Sequence, residues 1–355
     1  MTASAKIRVL VVDDSITVRM HLVELLEADP AFEVVAQAAN GRQAIELCER
    51  HRPDVVTMDM MLPVMSGLAA TEWIMAYCPT PIVIVSASMN RGEVFRTYDA
   101  IAAGAVDVVA KPTTAADAAW ADRLKFVLRI AARIKVVTHP RGRLRPSSTP
   151  SFPAVSPPPP SRAASVRLVA VGASTGGPGA VRRLLTDLPA GFPVSVVLVL
   201  HIGEPFDATL ADWLDAQSPH RVVFAADGEA VFEGPPRVFM APAGKHLTIR
   251  EGKLRLGSGP ERHSCRPSVD VLFESVAADV GAGVVGVLLT GMGRDGAEGL
   301  LAIRRAGGHT IAQDEASSVI YGMPRAAVEI DAAAAVLPLD AIGPTLGRMA
   351  GGGKQ

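Results

Sequence analysis

The sequence predicts two α/β domains, each built on a doubly wound parallel sheet, with an irregular segment between them. Residues 8–133 read as strands and helices in strict alternation, which is typical of a parallel sheet covered by helices on both faces. A second series of buried strands, glycine turns and helices starts at residue 166. Residues 138–165 hold eight prolines, four arginines and no acidic residue, a composition that predicts a flexible linker. We therefore expect domains at 1–137 and 166–350.

The first domain is predicted from five apolar runs and the helical patterns between them. The runs are short and rich in valine and isoleucine, as the buried strands of parallel sheets are. The predicted strands are Arg8–Val12, Phe32–Ala36, Asp54–Met58, Pro81–Ser88 and Ala105–Pro112. The predicted helices are Ser15–Ala28, Gly41–Arg50, Gly67–Tyr77, one that ends near Gly104, and Ala115–Ile134.

Polar side chains follow several strands of this domain at their carboxyl ends. Asp13 and Asp14 follow the first strand, Asp59 the third, Ser86 the fourth and Lys111 the fifth. The carboxyl ends of a doubly wound sheet form its binding crevice, so we expect these side chains to meet. Three carboxylates would repel one another there unless a hard cation such as Mg²⁺ lies among them. One such aspartate could simply cap a helix, but five polar residues at one edge favour a site for Mg²⁺ and a phosphoryl group.

The same residues stand in motifs that resemble the receiver domain of two-component response regulators. The motifs are VVDDS, MDMMLPVMSG, Ser86 and Lys111-Pro112, and together they cover the first third of the chain. The resemblance implies a flavodoxin-like fold in which Asp59 accepts a phosphoryl group from a histidine kinase. It also implies that Ser86 and Lys111 contact that phosphoryl group.

The receiver resemblance further implies a metal site and one departure from the family pattern. Mg²⁺ would be held by Asp13, Asp14, Asp59 and the carbonyl of Met61, and it would serve phosphorylation only. Receivers usually carry an aromatic residue three positions before the lysine, whereas this chain has Val108. The phosphorylation chemistry is unaffected, but we expect a smaller activation because the aromatic switch is missing.

The second domain opens with a buried strand, Val166–Val171, followed by a tight turn in the order G-x-S-x-G. Gly172, Ser174 and Gly176 form that turn, and Pro178 suits the first turn of the next helix. Strand, turn, serine and helix together describe a nucleophile elbow, in which the helix start favours a developing oxyanion. A phosphate-binding loop is the alternative for a glycine-rich turn, although Pro178 stands where a Walker lysine would be. The turn by itself leaves three interpretations open: a nucleophile elbow, a phosphate-binding loop and a purely structural turn.

Two further strands of the second domain end at residues with catalytic side chains. The run 194–200 is followed by His201, and GVVGVLLTGMGRDG is a strand and glycine turn that leads to Asp295 and a helix. A helix over Phe206–Gln217 and a β-rich insertion over 221–257 lie between them, and HSCRPSVDVLFESVAADV leads into another helix. Ser174, His201 and Asp295 are therefore expected at one edge of one sheet.

These three residues can form a hydrolytic triad. His201 would take the proton of Ser174, and Asp295 would fix the imidazole and stabilise its charged form. The backbone near Thr175 and Met292 could stabilise the oxyanion. The chain order Ser, His, Asp differs from the Ser, Asp, His order of α/β-hydrolases, which disfavours that family.

Four other residues of the second domain are candidates for the site. His246 follows a turn and His263 begins HSCRPS, so either could act as a base or contact the substrate. Asp270 lies in a helical pattern and is expected to be a cap or a surface residue. Cys265 could be a nucleophile, but no glycine elbow surrounds it, and we expect a small buried thiol.

The second domain resembles the catalytic domain of chemotaxis receptor protein-glutamate methylesterases. VGASTGGP, the strand-end His201, APAGKH, RPSVDVLF and LTGMGRDG match that family along most of residues 166–350. The resemblance implies a Rossmann-like α/β fold with Ser174 as nucleophile, His201 as base and Asp295 as orienting acid. The implied reaction demethylates glutamate methyl esters of chemoreceptors, releasing methanol, and deamidates receptor glutamines without a cofactor. Leu200 replaces the family's glutamine, and Ile202-Gly203 replaces its Met-Pro, so substrate contacts are expected to differ.

Net charge and cysteine content indicate which partners and which cellular compartment to expect. The formal net charge of −1 gives no general attraction to nucleic acid or to anionic membranes. Cys48, Cys78 and Cys265 are few and lack C-x-x-C spacing, which fits a reducing compartment. We find no signal peptide or membrane-spanning stretch in the sequence and expect a cytoplasmic monomer.

The alternative class is a response regulator whose second domain binds a nucleotide or a partner without catalysis. Such a module would need only the glycine loop. No helix-turn-helix pattern or basic recognition helix is visible, which disfavours a DNA-binding domain. Release of methanol from methylated receptors distinguishes the hydrolase from the binding module.

Overall fold

The structure of the protein is a computed structural model, and it describes residues 5–87, 91–112, 117–134, 165–202, 206 and 209–351. The predicted linker at 138–165 lies outside the described residues except for Ser165. The described chain forms two large parallel sheets with helices packed on them, so the predicted fold class is confirmed.

The first sheet contains five strands, all paired in parallel. They are β1 (Ile7–Val12), β2 (Phe32–Ala38), β3 (Val55–Met58), β4 (Ile82–Ser86) and β5 (Asp107–Ala110). The alternating helices are α1 (Ile16–Glu27), α2 (Gly41–His51), α3 (Gly67–Tyr77), α4 (Arg91–Ala102) and α5 (Ala118–Ala131). The spatial order β2-β1-β3-β4-β5 reverses direction between β1 and β3, which places the binding crevice beyond their carboxyl ends.

Side-chain caps explain where several of these helices begin. Ser15 accepts the backbone N–H of Val18 before α1, and Ser66 accepts that of Ala69 before α3. Asp117 does the same before α5, so this helix begins at Ala118 and not at the predicted Ala115. Residues 113–116 themselves lie outside the described part of the chain.

The second sheet contains seven parallel strands. They are β6 (Leu168–Ala173), β7 (Ser195–Leu200), β8 (Val222–Phe224), β9 (Val238–Met240), β12 (Val284–Leu288), β13 (His309–Gln313) and β14 (Ala335–Leu337). Its helices are α6 (Gly177–Asp187), α7 (Leu210–Gln217), α8 (Val269–Asp279), α9 (Ala297–Arg305), α10 (Met323–Glu329) and α11 (Leu339–Gly351). An antiparallel hairpin of β10 (His246–Arg250) and β11 (Lys253–Gly257) stands apart from the sheet.

The strand order β14-β13-β12-β6-β7-β9-β8 puts β6 between β7 and β12. The three strands expected to carry catalytic residues are therefore direct neighbours. Within the predicted β-rich region, β8 and β9 extend the parallel sheet, while β10 and β11 form the hairpin. The sequence prediction did not include β13, β14, α10 and α11, which complete the far side of the domain.

The two domains are docked through α4 of the first and through α6 and α7 of the second. The rings of Tyr98 and Trp213 are fully buried, with centroids 5.3 Å apart. Nε1 of Trp213 donates a hydrogen bond to Oδ1 of Asp99 at 3.0 Å. Buried apolar side chains run continuously from one domain into the other at this contact.

Candidate active site

Ser174 lies in a tight turn between β6 and α6. Its backbone N–H donates to the carbonyl of Thr290 at 3.0 Å, and its own carbonyl accepts from Gly177 N–H at 2.6 Å. Gly176 has a φ of +76°, a left-handed conformation that favours glycine. Ser174 thus stands at a sharp junction between β6 and the start of α6, the position that a nucleophile elbow occupies.

The turn after β12 packs closely against the Ser174 turn and keeps the serine in place. A Cβ at Gly291 would lie 2.8 Å from the Cβ of Ser174 and 2.3 Å from the sulfur of Met323. Any larger residue at position 291 would push the turn after β12 away from Ser174. The glycine turn that precedes Asp295 is therefore packed against the serine turn.

Asp295 is buried and is held by the N-terminus of α8. Its Oδ1 accepts Ser268 Oγ at 2.8 Å and Asp270 N–H at 3.0 Å, while its Oδ2 accepts Val269 N–H at 2.7 Å. Oδ2 also lies 3.0 Å from Nε2 of His201, a close contact that is not aligned as a hydrogen bond. The acid is thus fixed by three donors and presents its charge to one nitrogen of the imidazole.

The pKa values of His201 and Asp295 favour the charged forms. Burial lowers the pKa of His201, but Asp295 and Cys265 beside the ring outweigh it and raise the pKa to about 9. Burial raises the pKa of Asp295, but His201 and the α8 N–H groups outweigh that effect and lower it to about 2. At neutral pH this geometry holds an imidazolium against a carboxylate.

The second nitrogen of His201 faces a thiol. Nδ1 lies 3.7 Å from Sγ of Cys265, which also approaches the carbonyl of His263 at 3.4 Å. No hydrogen bond joins His201 to Ser174 among the described residues, although both side chains line the same cavity. Catalytic hydrogen bonds are often long in resting enzymes and tighten only when substrate binds.

The cavity over Ser174 measures about 260 Å³ and is lined from both domains. Its lining residues are Asp107, Val108 and Arg123 from the first domain, and Ser174, Thr175, His201, Ile202, Ser264, Cys265, Arg266 and Pro267 from the second. Thr175 Oγ1 donates to Oδ2 of Asp107 at 3.3 Å, so the first domain touches the residue next to the candidate nucleophile. Burial raises the pKa of Asp107, against the opposing effects of the Val108 N–H, Arg123 and Thr175.

The remaining sequence candidates have structural roles. His246 is buried, and its Nδ1 accepts the backbone N–H of Ser268 at 3.2 Å. Nε2 of His263 lies 3.0 Å from Oδ2 of Asp270. Asp270 is fully buried and accepts the N–H of Gly299 in the first turn of α9 at 2.6 Å, so of its two expected roles the cap agrees with the structure and the surface location is wrong.

Only some of the residues expected to contact the oxyanion or the substrate line the cavity over Ser174. Thr175 and Ile202 line the cavity, whereas Met292 is not among its described lining residues. Leu200 is buried and packs against Gly177. A Cβ added at Gly177 would lie only 2.3 Å from Cδ1 of Leu200, so Leu200 supports the turn from below only because residue 177 is glycine. Gly203 lies outside the described residues.

Ser268 is the functional residue that sequence reasoning missed. It caps α8 by accepting Val271 N–H and at the same time donates to Asp295. A serine just before the apolar run VDVLF is a helix-start signal that could have located it.

The first domain brings its acidic residues together as predicted. Carboxylate oxygens of Asp13, Asp14 and Asp59 all lie within 4.8 Å of one another. Nζ of Lys111 lies 2.7 Å from Asp13 and 2.9 Å from Asp59, at the end of β5. Ser86 ends β4, and its carbonyl accepts Lys111 N–H at 2.9 Å, so Ser86 is the backbone neighbour of the lysine that contacts Asp59.

This cluster fits a hard divalent cation. Burial raises the pKa of Asp13, as does the charge of Asp59, while Lys111 opposes both effects. Three carboxylates at such short range are the oxygen donor set that Mg²⁺ takes in proteins. Asp14 is exposed, so the cluster opens to solvent on one side and leaves room for water ligands and a phosphoryl group.

Comparisons with known proteins follow the same division of the chain. A family model described as the response regulator receiver domain matches residues 9–119, and one described as CheB methylesterase matches residues 169–346. A protein-glutamate methylesterase/protein-glutamine glutaminase of Anaeromyxobacter dehalogenans is 45% identical over 338 residues and covers 95% of both chains. One from Cupriavidus pinatubonensis is 44% identical and covers 96% of both.

A solved structure, the CheB methylesterase catalytic domain of Thermotoga maritima, is 35% identical to this chain. It covers 52% of this chain and 100% of its own, with a TM-score of 0.49. The curated relatives support the hydrolase interpretation of the second domain and not the binding-module alternative. Within the described part of the chain, every helix is too short or too polar to cross a membrane.

Proposed function

The chain belongs to the protein-glutamate methylesterase/protein-glutamine glutaminase family, and we propose that Ser174, His201 and Asp295 carry out its hydrolytic reaction. The substrate is a methylated glutamate side chain of a chemoreceptor, which yields glutamate and methanol. A receptor glutamine is deamidated by the same acyl chemistry and yields ammonia. The observation that carries this assignment is the buried Asp295, locked by α8 and facing His201 beside the Ser174 turn.

In the proposed mechanism, Oγ of Ser174 attacks the ester carbonyl while Nδ1 of His201 takes its proton. The carboxylate of Asp295 lies 3.0 Å from the opposite nitrogen, Nε2, so Nδ1 is the nitrogen left for proton transfer. The tetrahedral intermediate expels methanol, which leaves with the proton held by His201. A water molecule, activated by the same nitrogen, then hydrolyses the acyl-serine.

The N-terminus of α6 supports the negative charge that develops on the substrate oxygen. This helix begins at Gly177, three residues after Ser174, and its first N–H groups point toward the turn. We assign the backbone near Thr175 and Met292 to this oxyanion site. Thr175 lines the cavity, which supports its share of the assignment more directly than that of Met292.

The test of the hydrolytic assignment is methanol release from methylated receptor membranes. Ser174→Ala should lower the rate at least about 1000-fold, because no other group in the triad replaces the nucleophile. Its thermal unfolding midpoint and its phosphorylation should match the parent protein. Methanol release by Ser174→Ala at the parent rate would refute the assignment.

The first domain is proposed to accept a phosphoryl group on Asp59 from a chemotaxis-type histidine kinase. Asp13, Asp14, Asp59 and the Met61 carbonyl would hold Mg²⁺, which neutralises charge during phosphoryl transfer. Lys111 already contacts Asp59 and would pair with the phosphoryl oxygens, as would Ser86.

Phosphorylation with a small phosphodonor tests these assignments. Asp59→Asn should take up no acid-labile phosphate, and chelation of Mg²⁺ should have the same effect on the parent protein. Asp14→Ala should slow phosphorylation without unfolding the domain, since Asp14 is exposed. Hydrolysis by the separate second domain should be insensitive to chelation, because no metal serves the esterase. Normal phosphate uptake by Asp59→Asn would contradict the assignment.

We propose that docking of the first domain restrains the esterase and that phosphorylation releases it. Strand β5 connects the two sites, since Lys111 follows its carboxyl end while Asp107 and Val108 at its start line the cavity over Ser174. A phosphoryl group on Asp59 would change the partner of Lys111 from the carboxylate to the phosphoryl oxygens, shift β5 and loosen the contact of Asp107 with Thr175. Val108 supplies no aromatic ring, so the activation is expected to be modest.

The remaining parts of the proposal concern organisation and compartment. We propose a receiver at 1–137, a flexible linker at 138–165 and the catalytic domain at 166–350. The protein acts as a monomer in the cytoplasm, where a histidine kinase and the signalling ends of receptors are both accessible. Its three free cysteines are compatible with that reducing compartment.

A further inference from the structure

Cys265 shares the base of the proposed triad with Ser174. Its sulfur lies 3.7 Å from Nδ1 of His201, the nitrogen that is assigned to proton transfer, and it lines the same cavity as the serine. The carboxylate of Asp295 lies 3.0 Å from the other nitrogen of the ring. The site therefore contains a second potential nucleophile, arranged as Cys–His–Asp around one imidazole.

From this geometry we propose that Cys265 is a modification site that exchanges with small disulfides and thereby blocks the esterase. The exchange concerns the thiol alone, whereas the inhibition rests on the proposed function of Ser174 and His201. The ligand class is a low-molecular-weight disulfide that fits a cavity of about 260 Å³.

A tight, firmly anchored turn presents the thiol to the imidazole. Arg262 and Cys265 exchange two backbone hydrogen bonds of 3.2 and 2.9 Å, and the two residues between them both have left-handed backbones, with φ of 51° and 59°. Arg262 is fixed by Glu274 at 2.6 Å and by Glu298 at 2.8 Å. The two backbone hydrogen bonds close the turn, and within it the sulfur of Cys265 lies beside His201.

The imidazole gives the sulfur its reactivity. A cysteine is activated as a nucleophile by an adjacent general base, as in a Cys–His pair. Nδ1 of His201 lies 3.7 Å from Sγ of Cys265 and is placed to take the proton of the thiol. Cys265 is partly exposed, so a reagent that enters the cavity can reach it.

The other two cysteines of the chain lack these features. Cys48 and Cys78 are 0% and 1% exposed in the core of the first domain, with their sulfurs 3.8 Å apart. Burial raises the pKa of Cys48 to about 12, which keeps it protonated. Exchange should therefore select Cys265 from the three thiols.

The exchange step is balanced without another reactant. The thiolate of Cys265 attacks one sulfur of the disulfide, forming a protein mixed disulfide and breaking the S–S bond of the reagent. The released thiolate takes a proton from the imidazolium or from solvent. The attached group then occupies the space between Nδ1 of His201 and the incoming ester, so Ser174 loses both its base and its substrate.

Cystamine treatment of the full-length protein, followed by peptide mass spectrometry, tests the site. One cysteamine group should attach to Cys265, and dithiothreitol should remove it. His201→Gln should react roughly tenfold more slowly, because the imidazole that takes the proton of the thiol is gone. Attachment at Cys48 or Cys78, no attachment, or an unchanged rate in His201→Gln would each overturn the proposal.

Methanol release tests the inhibition, with each protein compared with its own untreated rate. The treated parent protein should lose at least about 90% of its rate and regain it with dithiothreitol, since the attached group separates Nδ1 of His201 from the ester. Cys265→Ala should lose none of its own rate. A control, Ala190→Cys in the Cys265→Ala background, places an exposed thiol in the loop before β7, at the opposite edge of the sheet, and should be modified without inhibition. Inhibition of Cys265→Ala, or a fully modified but active parent, would refute the blocking step.

The Ser174→Ala protein separates this inference from the function on which it rests. Attachment of cysteamine to Cys265 should proceed in it as in the parent protein, since Ser174 takes no part in the exchange. If Ser174→Ala still releases methanol, the proposed triad fails while the modification site stands. If Ser174→Ala is inactive and Cys265 stays unmodified, the modification site fails while the triad stands.

Discussion

At the scale of single residues, Asp295 is the group whose surroundings do most to set the chemistry of the site. The α8 N–H groups and Ser268 bind its carboxylate, and its pKa of about 2 keeps it ionised throughout any practical assay. Its charge in turn helps to raise the pKa of His201 to about 9. The docked protein therefore holds its general base mostly protonated at pH 7, which is an unproductive state for proton transfer from Ser174.

This protonation predicts the pH dependence of hydrolysis. The rate of methanol release by the unphosphorylated protein should rise from pH 7 toward pH 9, because His201 works as a base only after it loses its proton. Asp295→Asn removes the negative charge, so the rise should move to lower pH. The maximal rate of this variant should fall by roughly 100-fold or more, though less than that of Ser174→Ala. A pH–rate profile identical in both proteins would contradict the assigned role of Asp295.

At the scale of elements, helix α8 acts as a holder for the catalytic acid. Its cap, Ser268, is fully buried and makes two hydrogen bonds, one to start the helix and one to Asp295. His246 accepts the backbone N–H of the same serine. The start of α8 is thus tied at once to the β10 strand and to the catalytic residue.

Removal of this cap should affect both stability and catalysis. Ser268→Ala should lower the free energy of unfolding by about 1–2 kcal/mol and also reduce methanol release, because Asp295 loses a donor. Ser66→Ala is the matched control, since Ser66 caps α3 in the same way but contacts no catalytic residue. It should lower stability with unchanged hydrolysis in the absence of phosphodonor. Chemical denaturation and methanol assays measure the two effects, and equal activity losses in both variants would refute a positioning role.

The comparison of sequence with structure also belongs to this scale. The succession of strands and helices could be predicted in outline because buried apolar runs and glycine turns are local signals, and these put Ser174, His201 and Asp295 at one edge. The contacts of Asp270 could not be predicted, because a helical pattern does not reveal that the carboxylate turns inward to cap α9. The approach of Cys265 to His201 depends on a turn with left-handed backbone conformations. This turn contains no glycine, so the sequence carries no signal that predicts it.

At the scale of the whole molecule, the important feature is an interface between the domains that is both packed and specific. Tyr98 and Trp213 bury their rings against each other, and the hydrogen bond from Trp213 to Asp99 fixes their registry. A hydrogen bond of this kind contributes about 1 kcal/mol, so its loss alters the docking equilibrium without abolishing it.

We expect Trp213→Phe to weaken docking and to raise hydrolysis by the unphosphorylated protein by about fivefold, which corresponds to about 1 kcal/mol. The increase in hydrolysis on addition of phosphodonor should be smaller in this variant, because its domains are already partly undocked.

A fragment that starts near Ser165 should be faster still than the resting full-length protein. Asp29→Asn, which breaks an ion pair with Arg129 inside the first domain, serves as the control and should behave as the parent. Equal rates for fragment, resting and phosphorylated proteins would mean that the first domain does not restrain the site.

The cavity shared by the two domains has a pharmacological consequence. A small molecule that fills it contacts Asp107 on one wall and Ser174 on the other, so it binds best when the domains are docked. Thermodynamic linkage then makes such a compound and the phosphoryl group on Asp59 mutual antagonists. A compound with a tenfold preference for the docked state would oppose release by about 1.4 kcal/mol. Such a compound would stabilise the docked arrangement of the two domains. It would be most potent in cells whose histidine kinase is inactive, because Asp59 is then unphosphorylated.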